Sequence, residues 1–144
     1  MIVHASSATM NVFKEATRHF TGSSHGAAAF VESPETIALI AMDGPEIQGW
    51  CWGHLLSRPD GTTMLYLHDL EVDESHRRQG IARELLNEFM KAGVNHGASR
   101  MFLTTGEENT PARHLYETAG ALPAAQGPTV NYWFHLSPSH PRLR

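Results

Sequence analysis

Three consecutive stretches of this chain bring together the residue types that acid–base and phosphate chemistry need. They are Leu67-His68-Asp69-Leu70-Glu71-Val72, then Asp73-Glu74-Ser75-His76, then Arg77-Arg78-Gln79-Gly80-Ile81-Ala82. The first reads as a buried strand, the second as a short acidic turn, and the third as a basic loop that opens an amphipathic helix. A helix N-terminus is an anion site, because its first N–H groups lack intrahelical acceptors and the helix dipole is positive there. Gly80 lets backbone approach a ligand closely, and Arg77 and Arg78 add charge. The chemistry this suits is holding a phosphate or pyrophosphate. No Gly-Lys-Ser/Thr follows the glycine, and the three spaced glycines of a dinucleotide fingerprint are absent.

What remains is Arg-x-x-Gly-x-Ala after a strand ending Leu-Glu-Val. This resembles the GNAT superfamily of acetyl-CoA-dependent N-acetyltransferases, whose signature is Gln/Arg-x-x-Gly-x-Gly/Ala, with Ala82 as the permitted variant of the last glycine. A second segment, Asn109-Thr110-Pro111-Ala112-Arg113-His114-Leu115-Tyr116-Glu117-Thr118-Ala119-Gly120, is similar to the family's Asn-x-x-Ala-x-x-Leu-Tyr-x-x-x-Gly. Its residues also read as a helix on their own. Thr110 can cap, Pro111 suits the first helical position, Gly120 suits the stop, and Ala112, Leu115, Tyr116 and Ala119 share a face. Ala121 stands where the family often has Phe.

The resemblance implies a set of roles. Arg77, Arg78, Gln79, Gly80, Ile81 and Ala82 would hold the cofactor's pyrophosphate. The strand at Leu70-Glu71-Val72 would splay from its neighbour, freeing the N–H groups of Leu70 and Val72 to hold acetyl-CoA and polarise its thioester. Tyr116 would protonate the departing thiolate, and Asn109 would contact cofactor or cap its helix. An unperturbed phenol, with a pKa of roughly 10, carries a proton at neutral pH. His68 matches a histidine of the arylalkylamine branch that helps deprotonate the amine, and histidine titrates near neutrality. On a regular strand His68 shares a side with Tyr66, while Asp69 and Glu71 alternate away from it as a group; a bulge would reorient these carboxylates to bind an ammonium or relay a proton.

A closer resemblance runs from Gly49 through Gly120. Tyr66-Leu67-His68-Asp69-Leu70-Glu71-Val72 followed by His76-Arg77-Arg78-Gln79-Gly80-Ile81-Ala82 is similar to the aminoglycoside 3-N-acetyltransferase branch. It implies that Asp69 holds or deprotonates an amine of a polycationic sugar. The activity implied is acetyl transfer to a primary amine of a small cationic molecule by direct attack in a ternary complex. Peptide or protein amine acetylation and a non-catalytic CoA-binding sensor are the alternatives, and a homodimer is common in the family.

The elements that must position these groups follow from periodicity. Helices are expected near 8–20, with Val12, Ala16 and Phe20 on one side, at 27–31, at 80–92 with Ile81, Leu85, Leu86 and Phe89 inward, and at 112–119. Strands are expected at 36–42, 47–56, 64–72, 100–105 and 129–136, with only Ile2-Val3-His4 to serve as the family's first strand. Trp50, Trp52, His54 and Leu56 share one face of their strand, and Cys51, Gly53 and Leu55 the other. Arg58-Pro59-Asp60-Gly61 reads as a hairpin turn. The fold class expected is α+β, a GNAT-like acyl-CoA N-acyltransferase fold with a mixed, mostly antiparallel sheet flanked by helices. Residues 1–144 read as one domain, with 137–144 a loose tail.

Composition narrows the remaining classes. Residues 1–75 hold three Lys/Arg and ten Asp/Glu, a balance of −7, and residues 76–144 hold eight and five, a balance of +3. The acidic half contains the expected substrate side and would attract a cationic amine. No basic stripe with interleaved aromatics points to nucleic acid, and no apolar run is long enough to span a membrane. The absence of a basic region followed by an apolar stretch at the N-terminus argues against a secretory signal. A single cysteine, Cys51, fits a reducing cytoplasm and reads as a buried strand thiol. The ten histidines show no metal-ligand spacing, so no metal is expected. Trp50 and Trp52 read as core, and Glu107 and Glu108 as a solvated loop that could meet a cationic substrate.

Overall fold

The computed structural model describes residues 1–137. The strands β1 (Ile2–His4), β2 (Thr36–Asp43), β3 (Glu46–Ser57), β4 (Thr63–Val72) and β5 (Ala98–Phe102) form one sheet in sequence order. The first three pairings are antiparallel and β4–β5 is parallel. Helix α3 (Ile81–Asn95) is the crossover between β4 and β5, because parallel neighbours need a long return path. Helices α1 (Met10–Thr21) and α2 (Ala27–Glu32) cover the opposite face, and α4 (Thr110–Thr118) follows β5. The mixed, mostly antiparallel sheet flanked by helices is the expected class. No helix among the described residues is long and apolar enough to cross a membrane.

The sheet divides the core in two. On one face Leu39, Cys51, Leu65 and Leu67 meet Leu85, Leu86 and Phe89 of α3. On the other, Ala38, Ile40 and Trp50 meet Phe13 and Ala16 of α1 and Ala27 of α2. Strand β2 lies under helices on both sides, which is why its residues Ile37 to Met42 are apolar without alternation and all buried. Helix α3 rides so close to β4 that a Cβ at Gly93 would overlap the Leu65 side chain.

Several expected boundaries change. Strand β1 forms from its three residues by pairing with Leu39–Ala41 of β2. Strand β5 covers Ala98–Phe102 and not 100–105, because its register is set by the parallel ladder from Thr63–Ala98 to Tyr66–Phe102. No strand forms at 129–136, where Val130, Tyr132, Trp133, Phe134 and Leu136 are exposed. Alternation there marks strand potential, but a strand exists only where an edge accepts it. The cap of α4 is Asn109, whose Oδ1 accepts from the Ala112 N–H at 3.2 Å, and Thr110 and Pro111 open the helix behind it. Of the tail expected at 137–144, residues 138–144 lie outside the described residues.

Candidate active site

One extra residue in β4 organises the site. Trp52 of β3 pairs with Asp69, and the next pair is Gly53 with Leu67, so His68 has no counterpart. This is a β-bulge, and it resets the alternation of side chains. Leu67 and Leu70 both pack toward α3. His68, Asp69 and Glu71 all fall on the opposite face, with Trp50 and Trp52: the His68 ring stacks on Trp52 at 4.4 Å, and Asp69 and Glu71 lie across from Trp52 and Trp50. Regular alternation, which separates His68 from the two carboxylates, is therefore corrected by the bulge. Gly53 permits it, since a Cβ there would overlap the Tyr66 carbonyl oxygen and press on Phe89.

The same strand loses its other neighbour at this point. Pairing with β5 stops at Tyr66–Phe102, while β4 continues to Val72. The Asp73 N–H donates to Gln48 O at 2.9 Å. By antiparallel alternation Glu71 and Asp69 also turn their N–H groups toward β3, which aims those of Leu70 and Val72 at the vacated side. An extended ligand can add there as a strand would.

The electrostatics of this face are unusual for carboxylates. The Glu71 side chain keeps substantial solvent contact, yet partial desolvation of its carboxyl, the hydrogen bond to Asp69 and the charges of Asp69 and Asp73 push its pKa up to about 7. The Trp50 indole N–H, donating to Glu71 Oε2 at 3.2 Å, opposes part of that rise. The folded state thus binds this proton more tightly than the unfolded chain, whose Glu titrates near 4.5. Glu71 consequently makes stability fall as pH rises from about 4.5 to about 7. In Glu71→Gln, thermal melts across that window should show a flatter profile; an unchanged slope would assign it to other groups.

His54 is pulled below its ordinary value by burial and then by the charge of His68. Tyr116, half-buried on α4, is pushed up by burial, then by Asp69 and Cys51. Its phenol therefore keeps its proton at neutral pH and lies close enough to feel the Asp69 charge. Cys51 is fully buried with its thiol raised by the same burial, so it is no nucleophile. Among the described residues no cluster of His, Cys, Asp or Glu could hold a metal.

The basic loop is shaped as an anion cradle. Arg78 at φ +64° and Gly80 at φ +78° are both left-handed, turning the backbone at the entry to α3. The N–H groups of Arg78, Gln79, Gly80, Ile81, Ala82 and Arg83 find no acceptor among the described residues. The glycine serves here through its backbone angle, since a Cβ at Gly80 would meet nothing within 4 Å. Arg77 Nε donates to Val72 O at 3.4 Å, anchoring the loop to the end of β4. Arg83 Nη2 donates to Thr118 Oγ1 at 3.1 Å, tying α3 to α4.

The structure gathers His68, Asp69 and Glu71 on one face, while Tyr116 packs on the α3 side of the sheet, near enough to Asp69 to feel its charge. Asn109 is committed to its cap, and Glu107 and Glu108 stay exposed in their loop. Trp50 is buried, as expected, whereas Trp52 is partly exposed and stacks on His68. Sequence reading missed His54, and also Phe102, which stacks on Tyr66 at 4.7 Å. The signal for both was strand register, which periodicity alone does not contain.

Known proteins bear on this arrangement. The family model for the acetyltransferase (GNAT) family matches residues 8–121. N-alpha-acetyltransferase 40 of Saccharomyces cerevisiae (strain ATCC 204508 / S288c) is 34% identical over 84 residues, covering 50% of this chain and 30% of the relative. Human N-acetyltransferase 8 is 33% identical over 86 residues, covering 52% of this chain and 38% of the relative. The matches thus span 30% and 38% of these relatives' lengths. Among solved structures, an aminoglycoside acetyltransferase from an uncultured soil metagenomic sample is 25% identical with a TM-score of 0.74, covering 95% of this chain and 98% of that one. Another of that origin, solved with sisomicin, has a TM-score of 0.82 at 18% identity, covering 95% and 96%. The cradle and the open strand edge thus lie within a matched domain, and the chain belongs to the acetyltransferase (GNAT) family.

Proposed function

We propose that the protein transfers acetyl from acetyl-CoA to a primary amine of a small cationic molecule, with an aminoglycoside as the first acceptor to test. The observation that carries this reading is the β4 bulge, which gathers His68, Asp69 and Glu71 on one face beside the unpaired stretch of the same strand. Acetyl-CoA, when bound, supplies the thioester. The unpartnered N–H groups from Arg78 to Arg83 and the guanidinium groups of Arg77 and Arg78 suit its pyrophosphate. The N–H groups of Leu70 and Val72 hold the pantetheine arm and polarise the carbonyl.

In this reading Asp69 and Glu71 bind the ammonium, and His68 or one of these carboxylates takes its proton, directly or through water. The neutral amine attacks the carbonyl carbon, the C–S bond breaks as Tyr116 donates its proton to the leaving thiolate, and the proton then shed by the amide nitrogen returns through water to the phenolate. No covalent enzyme intermediate is needed. The resemblance adds a homodimer to this reading, and the single cysteine adds a cytoplasmic setting.

Arg78→Gln should weaken CoA binding several-fold at low salt, and the deficit should shrink as ionic strength rises. A titration at two salt concentrations checks this, and a salt-independent loss would point to backbone shape rather than charge.

A second reading, acetylation of a peptide amine, draws on the relative named N-alpha-acetyltransferase 40. Acetyl-CoA-dependent thiol release against aminoglycosides, polyamines, arylalkylamines and peptides separates the two. Turnover confined to peptides would overturn the small-cation reading. CoA binding with no turnover of any amine would leave a sensor.

A further inference from the structure

Four rings form a continuous strip across the sheet on the bulge face. Trp52 of β3 stacks on His68 of β4 at 4.4 Å between centroids and 20° between planes. His68 lies 5.2 Å from Tyr66, and Tyr66 stacks on Phe102 of β5 at 4.7 Å and 20°. The strip is not sealed into the core: His68 is exposed, Tyr66 and Trp52 are partly so, and Phe102 is 39% exposed. Helices α1 and α2 pack over β2 and β3, where Phe30 closes against Trp52, and leave the β4–β5 end open. An aromatic run left open beside charged groups marks a recognition surface.

Its neighbours define what it recognises. Asp69 and Glu71 stand on the same face of β4, immediately beyond His68, with Asp73 next along the chain. The strip ends at the Tyr66–Phe102 pair, where β4 and β5 part. We infer that this strip is a platform for the flat C–H face of a saturated ring, and that the acceptor is a ring amine whose ammonium groups reach the adjoining carboxylates. This rests on the acetyl-transfer reading and narrows its substrate class. A linear polyamine satisfies the carboxylates and can set an ammonium over one ring, but it has no flat C–H face to lie along the strip, whereas an amino sugar or aminocyclitol satisfies both. Phe102 and Tyr66 are then specificity-determining residues, outside the proton-transfer groups.

Calorimetric titration of the CoA-loaded protein with neamine and with spermine, a linear amine of equal amine count, tests the inference. Phe102→Ala should weaken neamine roughly three- to tenfold, the worth of one aromatic contact, and leave spermine unchanged. Phe102→Tyr should restore neamine binding, which a merely structural defect would not allow. Equal losses for both amines, an unaltered neamine affinity, or wild-type protein that does not bind neamine would each overturn the platform. Turnover assays on the same proteins keep the two claims apart. Neamine binding without acetylation removes the transfer reading and leaves the platform standing; turnover of any amine with no effect of Phe102→Ala does the reverse.

Discussion

Tyr116→Phe is expected to lower kcat roughly a hundredfold or more, the usual worth of a positioned acid, while acetyl-CoA binds as before. The phenol sits half-buried on α4, with its pKa held above the ordinary tyrosine value first by burial and then by the Asp69 charge. That shift keeps the proton on the oxygen at neutral pH, as a general acid requires. Removing only the hydroxyl preserves the ring, which packs with Leu115 and Ala119 of the same helix against the α3 side of the core. Single-turnover kinetics with a CoA titration check the split, because loss confined to kcat marks an interaction made in the transition state. A fall in CoA affinity with kcat unchanged would make Tyr116 a packing residue.

The second large effect is on folding. Gly53→Ala should destabilise the protein by about 3 kcal/mol or more, measurable as a shift in the denaturant midpoint. Its Cβ would overlap a main-chain carbonyl, at Tyr66, and the Phe89 ring, which is fully buried. Neither can swing away as the end of a flexible side chain could. Strands β3 and β4 would have to part at the very pair that follows the bulge. The variant should therefore lose the stacking of Trp52 on His68 together with stability, which near-ultraviolet circular dichroism detects. A Gly53→Ala protein as stable as its parent would mean that this pair of strands adapts far more freely than a packed interior does.

The residues that declare the family lie in local motifs, and these were legible. Arg77 to Ala82 and Asn109 to Gly120 owe their meaning to spacing within a loop or a helix, which sequence displays directly. Helix α3 and strand β3 follow from their own periodicity, and β2 from an unbroken apolar run, for the same reason. The sequence admits a bulge in this strand but does not place it at His68, because a bulge is a property of two strands in register and neither strand contains it alone. Asp69 and Glu71 are evident candidates from their types, but the face they occupy depends on that register. Strand β5 was misplaced by two residues at its start, because a parallel ladder takes its limits from its partner. The stretch 129–136 shows the converse: four aromatic or aliphatic residues at alternate positions describe a capacity for pairing, not a partner. The cap of α4 went to Asn109 over Thr110 by a single position, a difference that only the geometry of the first turn decides.

The extra residue in β4 is also the one that carries the imidazole. Deleting His68 would close the ladder with β3, because Asp69 and Leu67 would then become consecutive partners of Trp52 and Gly53. Every buried residue of both cores would keep its place. Drift toward a more regular strand would therefore be tolerated by the fold and opposed only by selection for what His68 does. Neighbouring positions thus meet separate demands: Leu67 is sealed in the core, while His68 stands exposed on the bulge, where the fold leaves the side chain open to change.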